Sequence, residues 1–224
     1  GEPEMSLTGP MVAAASGRAK QLVILCHGYG SDGNDLIALA PFWQPLLPDA
    51  DFLSPNAPQP CDGNPMGYQW FPITRLDPAE IALGVSRAAP LLESFIQGEL
   101  ARRGLDASQL ALVGFSQGTM MALHVGLRMG VPPACIVGFS GALAMPERLP
   151  QEIRCRPPVL MVHGEVDDML PVTRMYMAVQ ALGAAEVPVQ WHVSPGLGHS
   201  IDQTGLELGG RFIADAFAGR LAGP

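Results

Sequence analysis

A chain of 224 residues holds one domain with a sizeable core and leaves little room for a second. Apolar types make up 48% of it and charged types 15%, below the roughly 25% of an average soluble domain, which excludes a disordered chain. Thirteen basic residues against twenty-one acidic ones give a net charge of −8, so nucleic acid and anionic membrane surfaces are repelled rather than gathered.

At the N-terminus, Gly1 to Glu4 ahead of Met5 reads as a cloning remnant, residues 1–10 as a tail, and 11–224 as a single domain. Glu2 and Glu4 stand where a secretory signal carries positive charge, and the apolar run 11–15 is too short for its core. A cytoplasmic location is the expectation. From 107 to 145 Arg128 is the sole charge, yet Gly114, Ser116, Gln117, Gly118, Gly130, Pro132, Pro133 and Ser140 break the stretch. No run reaches the roughly 20 residues of a spanning helix, and no stable membrane insertion is expected. Cys26, Cys61, Cys135 and Cys155 form no CxxC pair and read as reduced structural thiols.

Short apolar runs bounded by Gly or Pro recur at 22–26, 51–53, 110–113, 135–137, 159–162 and 189–193. Most lack alternation, as strands covered on both faces require, so they predict a parallel sheet. Residues 11–14 predict a further antiparallel strand at one edge. Helical spacing appears at Ile81, Val85, Ala88, Leu92 and Phe95 or Ile96, at Met120, Met121, Leu123 and Leu127, and at Leu206, Gly210, Ile213 and Phe217. Asp77-Pro78 is an N-cap and first-turn pair, and Pro90 predicts a kink or break in the helix that follows. The segment 54–78 is rich in Pro and Gly but also holds Met66, Tyr68, Trp70 and Phe71, and reads as a functional loop.

Gly114-Phe115-Ser116-Gln117-Gly118 lies between a predicted strand and a predicted helix. A nucleophile on such a sharp turn needs small neighbours two residues away on either side, which Gly114 and Gly118 provide. With 26 Gly in the chain, GxSxG arises by chance about 0.15 times, so placement rather than the pentapeptide carries the argument. Gly138-Phe139-Ser140-Gly141-Ala142 resembles it, but Pro146 and Pro150 follow instead of a sustained helix, so Ser140 reads as a structural loop residue.

A serine hydroxyl needs a base, and a carboxylate usually orients that base. Of five histidines, His27 and His163 end strands, His124 lies mid-helix and His192 lies in a strand. His199 sits in a loop between the last strand and the last helix, where the order Ser, acid, His places the base. Glu165, Asp167 and Asp168 follow the strand 159–162, and spacing does not separate them. Two N–H groups aimed at an oxyanion complete the requirement: that of Gln117, after the nucleophile, and that of Tyr29 in Cys26-His27-Gly28-Tyr29-Gly30.

His27-Gly28-Tyr29-Gly30, Trp70-Phe71, Gly114 to Gly118, His163-Gly164-Glu165-Val166-Asp167 and Gly198-His199-Ser200 together resemble the phospholipase/carboxylesterase family, which includes the acyl-protein thioesterases. The Tyr68-Gln69-Trp70-Phe71 segment looks more like its bacterial carboxylesterase branch. The resemblance implies an α/β-hydrolase fold with a mostly parallel central sheet, helices on both faces and no large cap domain. It implies a Ser116, Asp167, His199 triad, since the last Asp of the His-Gly-acid-x-Asp pattern is the catalytic one. Asp168 departs from the pattern, many members having Pro there. Hydrolysis of small-molecule acyl esters or thioesters without metal or cofactor is implied, and homodimers are common among members. Trp70, Phe71, Met66, Phe115, Met169 and Leu170 are the expected groove-lining residues. The alternatives are a thioesterase or lysophospholipase with the same triad, or a catalytically silent binding module.

Overall fold

The computed structural model describes residues 6–221, and the Gly1 to Glu4 segment read as a remnant lies outside the described residues. In chain order come β1 (Met11–Val12), β2 (Gln21–Cys26), α1 (Gly33–Leu36), α2 (Ala40–Trp43), β3 (Ala50–Leu53), β4 (Gln59–Pro60), β5 (Tyr68–Gln69) and α3 (Pro78–Arg103). Then follow β6 (Leu110–Phe115), α4 (Gln117–Gly126), β7 (Cys135–Phe139), α5 (Leu149–Glu152), β8 (Val159–Gly164), α6 (Thr173–Ala184), β9 (Val189–Ser194) and α7 (Gln203–Phe217). Seven strands form one sheet in the order β1-β3-β2-β6-β7-β8-β9. All neighbours are parallel except β1, which runs antiparallel to β3. β4 and β5 make a separate antiparallel hairpin inside the segment read as a loop.

The sheet is apolar on both faces because helices cover both. Leu22, Ile24, Leu110, Leu112, Ile136, Val159 and Met161 face α3, α4 and α6. The alternate residues Val23, Leu25, Ala111, Val113, Val137, Leu160 and Val162 face α1, α2 and α7. Continuous apolar runs are therefore the sum of two period-2 patterns of opposite phase. On the second face the Trp43 ring lies against Gly209 and Gly210 of α7, and its Nε1–H donates to the Leu206 carbonyl at 2.9 Å. Ahead of β1, Leu7 is buried, and the Thr8 and Pro10 carbonyls accept from the Asn56 and Ser54 amides at 2.8 and 3.1 Å.

Two expectations are corrected. Of the kink or break expected at Pro90, the break does not occur: α3 runs through it as one helix. Pro90 and Ser86, whose carbonyl loses its helical partner, lie on the solvent side, so water can satisfy that oxygen while the buried stripe from Ile81 to Leu100 continues beneath. The Asp77 carboxylate caps the helix as expected, accepting from the Glu80 amide at 2.8 Å. The second correction is α6, which the sequence reading passed over although Met175, Ala178 and Leu182 bury one helical face.

The four cysteines are free and buried. Burial pushes the Cys26 thiol up to about 12 and raises Cys135 as well. His124, within α4, has a buried Nδ1 without a partner. Burial, with the neighbouring Arg128 charge, pushes its pKa down from 6.5 to about 4, opposed in part by Glu152. The unfolded chain therefore binds more protons than the native one between these values, and native stability falls as pH is lowered through that window. Urea unfolding of His124→Met across it is expected to show a slope shallower by up to about 1.4 kcal/mol per pH unit. Equal slopes in the two proteins would refute the assignment.

Candidate active site

Between the last residue of β6 and the first of α4 stands one residue, Ser116. Its backbone sits at φ +57°, ψ −117°, a region that costs a residue with a side chain roughly 1–3 kcal/mol. Packing enforces it. The Ser116 N–H donates to the Phe139 carbonyl at 2.9 Å, and its carbonyl accepts from the Thr119 amide at 3.0 Å. A Cβ at Gly114 would overlap the Gly118 carbonyl and the Thr119 amide, and one at Gly118 would overlap the carbonyls of Cys26 and His27. The two glycines thus let strand, turn and helix close on one another, and the ten-residue α4 directs its N-terminal N–H groups at the serine.

The acid and the imidazole come from the loops after β8 and β9. Asp167 is fully buried at its side chain. One carboxylate oxygen accepts from the Met169 and Leu170 amides at 3.0 and 2.9 Å, and the other accepts from His199 Nδ1 at 2.7 Å. His163 Nε2 donates to the Leu170 carbonyl at 2.7 Å and lies 3.4 Å from the same Asp167 oxygen. Three donors bonded to one carboxylate, with the His163 ring close by, offset the cost of burying it. The alternatives left open by spacing point elsewhere: Asp168 is exposed, and the exposed Glu165 accepts from the Gly196 amide at 3.0 Å.

His199 packs its ring on Phe115, with centroids 4.9 Å apart and planes inclined by 51°, which brings it beside the serine turn. With Nδ1 donating to the carboxylate, Nε2 carries the lone pair. Among the described residues the Ser116 hydroxyl makes no hydrogen bond, to His199 or elsewhere; bonds of this kind often tighten only when substrate is present.

The loop after β2 forms the third wall. A Cβ at Gly28 would lie 3.3 Å from Ser116 Cβ and 3.2 Å from the Phe115 ring. Among hydrogen bonds between described residues none uses the N–H of Tyr29 or Gln117. His27 belongs to the scaffold of this wall: its Nδ1–H donates to the Gly28 carbonyl at 2.7 Å and its Nε2 accepts from the Ala57 amide at 2.9 Å. Burial lowers its pKa, in keeping with the neutral tautomer that this pairing requires.

Three of the expected groove residues are buried. Trp70, Phe71 and Leu170 are 1, 2 and 3% exposed. The Phe71 ring presses on Gly84 of α3, and Trp70 Nε1–H donates to the His27 carbonyl at 2.9 Å. These aromatics anchor the long segment to the core together with Ala57, Ile73 and Leu76. Met66 and Met169 are 87 and 65% exposed, and Phe115 is half-buried against His199. Ser140, read as a structural loop residue, adopts positive φ (+49°) as well and donates its hydroxyl to the Ser200 carbonyl at 3.4 Å, tethering the loop of His199. The repeated Gly-x-Ser step after a strand was the available signal.

A parallel sheet of this order, a strained serine between strand and helix, and an acid and a histidine on the two following loops define an α/β hydrolase. The chain matches the phospholipase/carboxylesterase family over residues 7–216 and belongs to it. It superposes on the crystal structure of esterase PE8 with a TM-score of 0.92 and 45% identity, covering 95% of this chain and 100% of that one. Among curated relatives it is 28% identical to esterase YpfH of Escherichia coli K12 over 85% of this chain and 80% of that one. It is 29% identical to acyl-protein thioesterase 1 of Gibberella zeae over 85% and 88%. No helix among the described residues is long and apolar enough to cross a membrane.

Because Gly118 touches backbone rather than flexible side chain, Gly118→Ala is expected to cost more than about 3 kcal/mol or to prevent folding. Thermal unfolding with a melting temperature like that of the parent would overturn this account of the turn.

Proposed function

We propose that the chain is a serine carboxylesterase acting on small acyl esters of short to medium length, with Ser116 as nucleophile, His199 as base and Asp167 as its orienting acid. The observation that carries the reading is the 2.7 Å bond from His199 Nδ1 to the buried Asp167, with the same ring packed on Phe115, the residue before Ser116. Ser116 Oγ attacks the ester carbonyl carbon while its proton passes to His199 Nε2, and the oxyanion accepts from the Tyr29 and Gln117 amides. Collapse expels the alcohol, which takes the proton back from His199. Water then repeats the sequence on the acyl-enzyme, releasing the acid and restoring the serine. Phe115 against the imidazole helps hold the ring in place.

Thioester hydrolysis is the second reading, favoured by the likeness to acyl-protein thioesterase 1. The chemistry is the same, and the leaving group differs. A cytoplasmic setting is in keeping with four free, buried thiols.

Ser116→Ala is expected to lower turnover of an activated acetate ester by about 10⁶ and to abolish labelling by a fluorophosphonate. Retained activity would dismiss the assignment, and an unlabelled parent protein would point to a silent binding module. Asp167→Asn should cost about 10⁴ in kcat, against less than about threefold for the exposed Asp168→Asn. A reversed order would transfer the role to the neighbour.

A further inference from the structure

The two amides assigned to the oxyanion come from separate elements. Tyr29 lies on the loop after β2, and Gln117 begins α4. One stretch of chain, 59–71, grips both. On one side it holds the Tyr29 loop: the Gly30 amide donates to the Tyr68 carbonyl at 2.8 Å, the Tyr68 amide to the Ser31 carbonyl at 2.7 Å, and Asn64 Nδ2 to the Gly30 carbonyl at 2.9 Å. Ser31 and Tyr68 pair as an antiparallel bridge, so the loop is in effect a third strand on the β4–β5 hairpin. The Tyr29 phenol lies along the same hairpin, 3.2 Å from where a Cβ at Gly63 would stand. On the other side the stretch holds Gln117. Its buried side chain accepts from the Trp70 amide at 2.7 Å and donates to the Phe71 carbonyl at 2.8 Å.

We propose that the β4–β5 hairpin and the two aromatics after it set the separation of the two oxyanion donors, with Gly67 and Asn64 as positioning residues for catalysis. This rests on the assignment of the Tyr29 and Gln117 amides above. Gly67 is where the fit is tightest, since a Cβ there would overlap the Gly30 carbonyl and stand 3.1 Å from that of Ser31. Gly30 itself takes φ +82°, a conformation that favours glycine, and its carbonyl is directed toward Gly67 and Asn64. The hairpin is internally closed by bonds from the Cys61 amide to the Gly67 carbonyl and from the Gly67 amide to the Asn64 carbonyl, both 2.9 Å. It is therefore a stiff spacer, and a side chain inserted at Gly67 moves the Tyr29 loop relative to Gln117, which Trp70 and Phe71 hold in place.

The test separates position from mere stability by reading the oxyanion. Gly67→Ala is expected to lower kcat by about 10- to 100-fold with KM within about twofold. It should weaken binding of an aryl trifluoromethyl ketone, whose serine adduct carries an oxyanion, by a similar factor. Asn64 is exposed, so Asn64→Ala tests the same contact without threatening the fold, and a fall of about three- to tenfold in both quantities is expected. If Gly67→Ala fails to fold, Asn64→Ala alone decides. Parental kcat and ketone affinity in the folded variants overturn the inference, as does a change confined to KM. A parent protein that neither reacts with a fluorophosphonate nor binds the ketone overturns the assignment of the site itself. Normal reaction of the parent with unchanged variants defeats only the role of the hairpin.

Discussion

The first turn of α4 rests directly on the carbonyl oxygens of Cys26 and His27, because Gly118 puts no side chain between them. Everything about the site follows from that backbone-to-backbone approach. It brings the end of β2 against the start of α4, so the loop after β2 runs alongside Ser116, and it leaves no room for a relaxed turn at the serine. Strain of about 1–3 kcal/mol at one residue is held by two central strands and a buried helix, elements whose packing is worth far more. A loop could not hold such a geometry; the middle of a seven-stranded sheet can.

The imidazole and its acid are supported differently. They ride on loops, and their order comes from polar contacts rather than close packing. Asp167 brings a charge into the interior and gathers two amides, His199 and, at longer range, His163. Each of those donors is thereby fixed in turn: the amides shape the bend after β8, and His199 is locked in one tautomer. Ser140 ties the next residue of the same loop to the end of β7. The rigid half and the polar half of the site meet where Phe115 touches His199, one residue from the serine.

Much of this was legible in the sequence, for identifiable reasons. Parallel strands announce themselves as unbroken apolar runs, and all six predicted strands fall within those observed. The edge strand at Met11 and the cap at Asp77 were legible from local chemistry. Pro90 misled because the cost of a missing hydrogen bond depends on which way the orphaned carbonyl faces, and the sequence does not state that directly. α6 was missed although its stripe was present, since Met175, Ala178 and Leu182 are widely spaced among residues of mixed polarity. Trp70 and Phe71 were read as facing substrate because aromatics in a long loop suggest a ligand. They also anchor the segment against α3 and the His27 carbonyl, and only tertiary contacts show that use. Glu165, Asp167 and Asp168 look alike in one dimension, whereas burial distinguishes them in three.

The placement of sulfur has a practical consequence. All four thiols are buried, and Cys26, at the end of the strand beneath the serine turn, is held protonated well above neutrality. Alkylating agents and mild oxidants that seek an exposed thiolate find these sulfurs shielded in the native fold. An electrophile aimed at the half-buried serine therefore meets little competition from sulfur while the native packing holds.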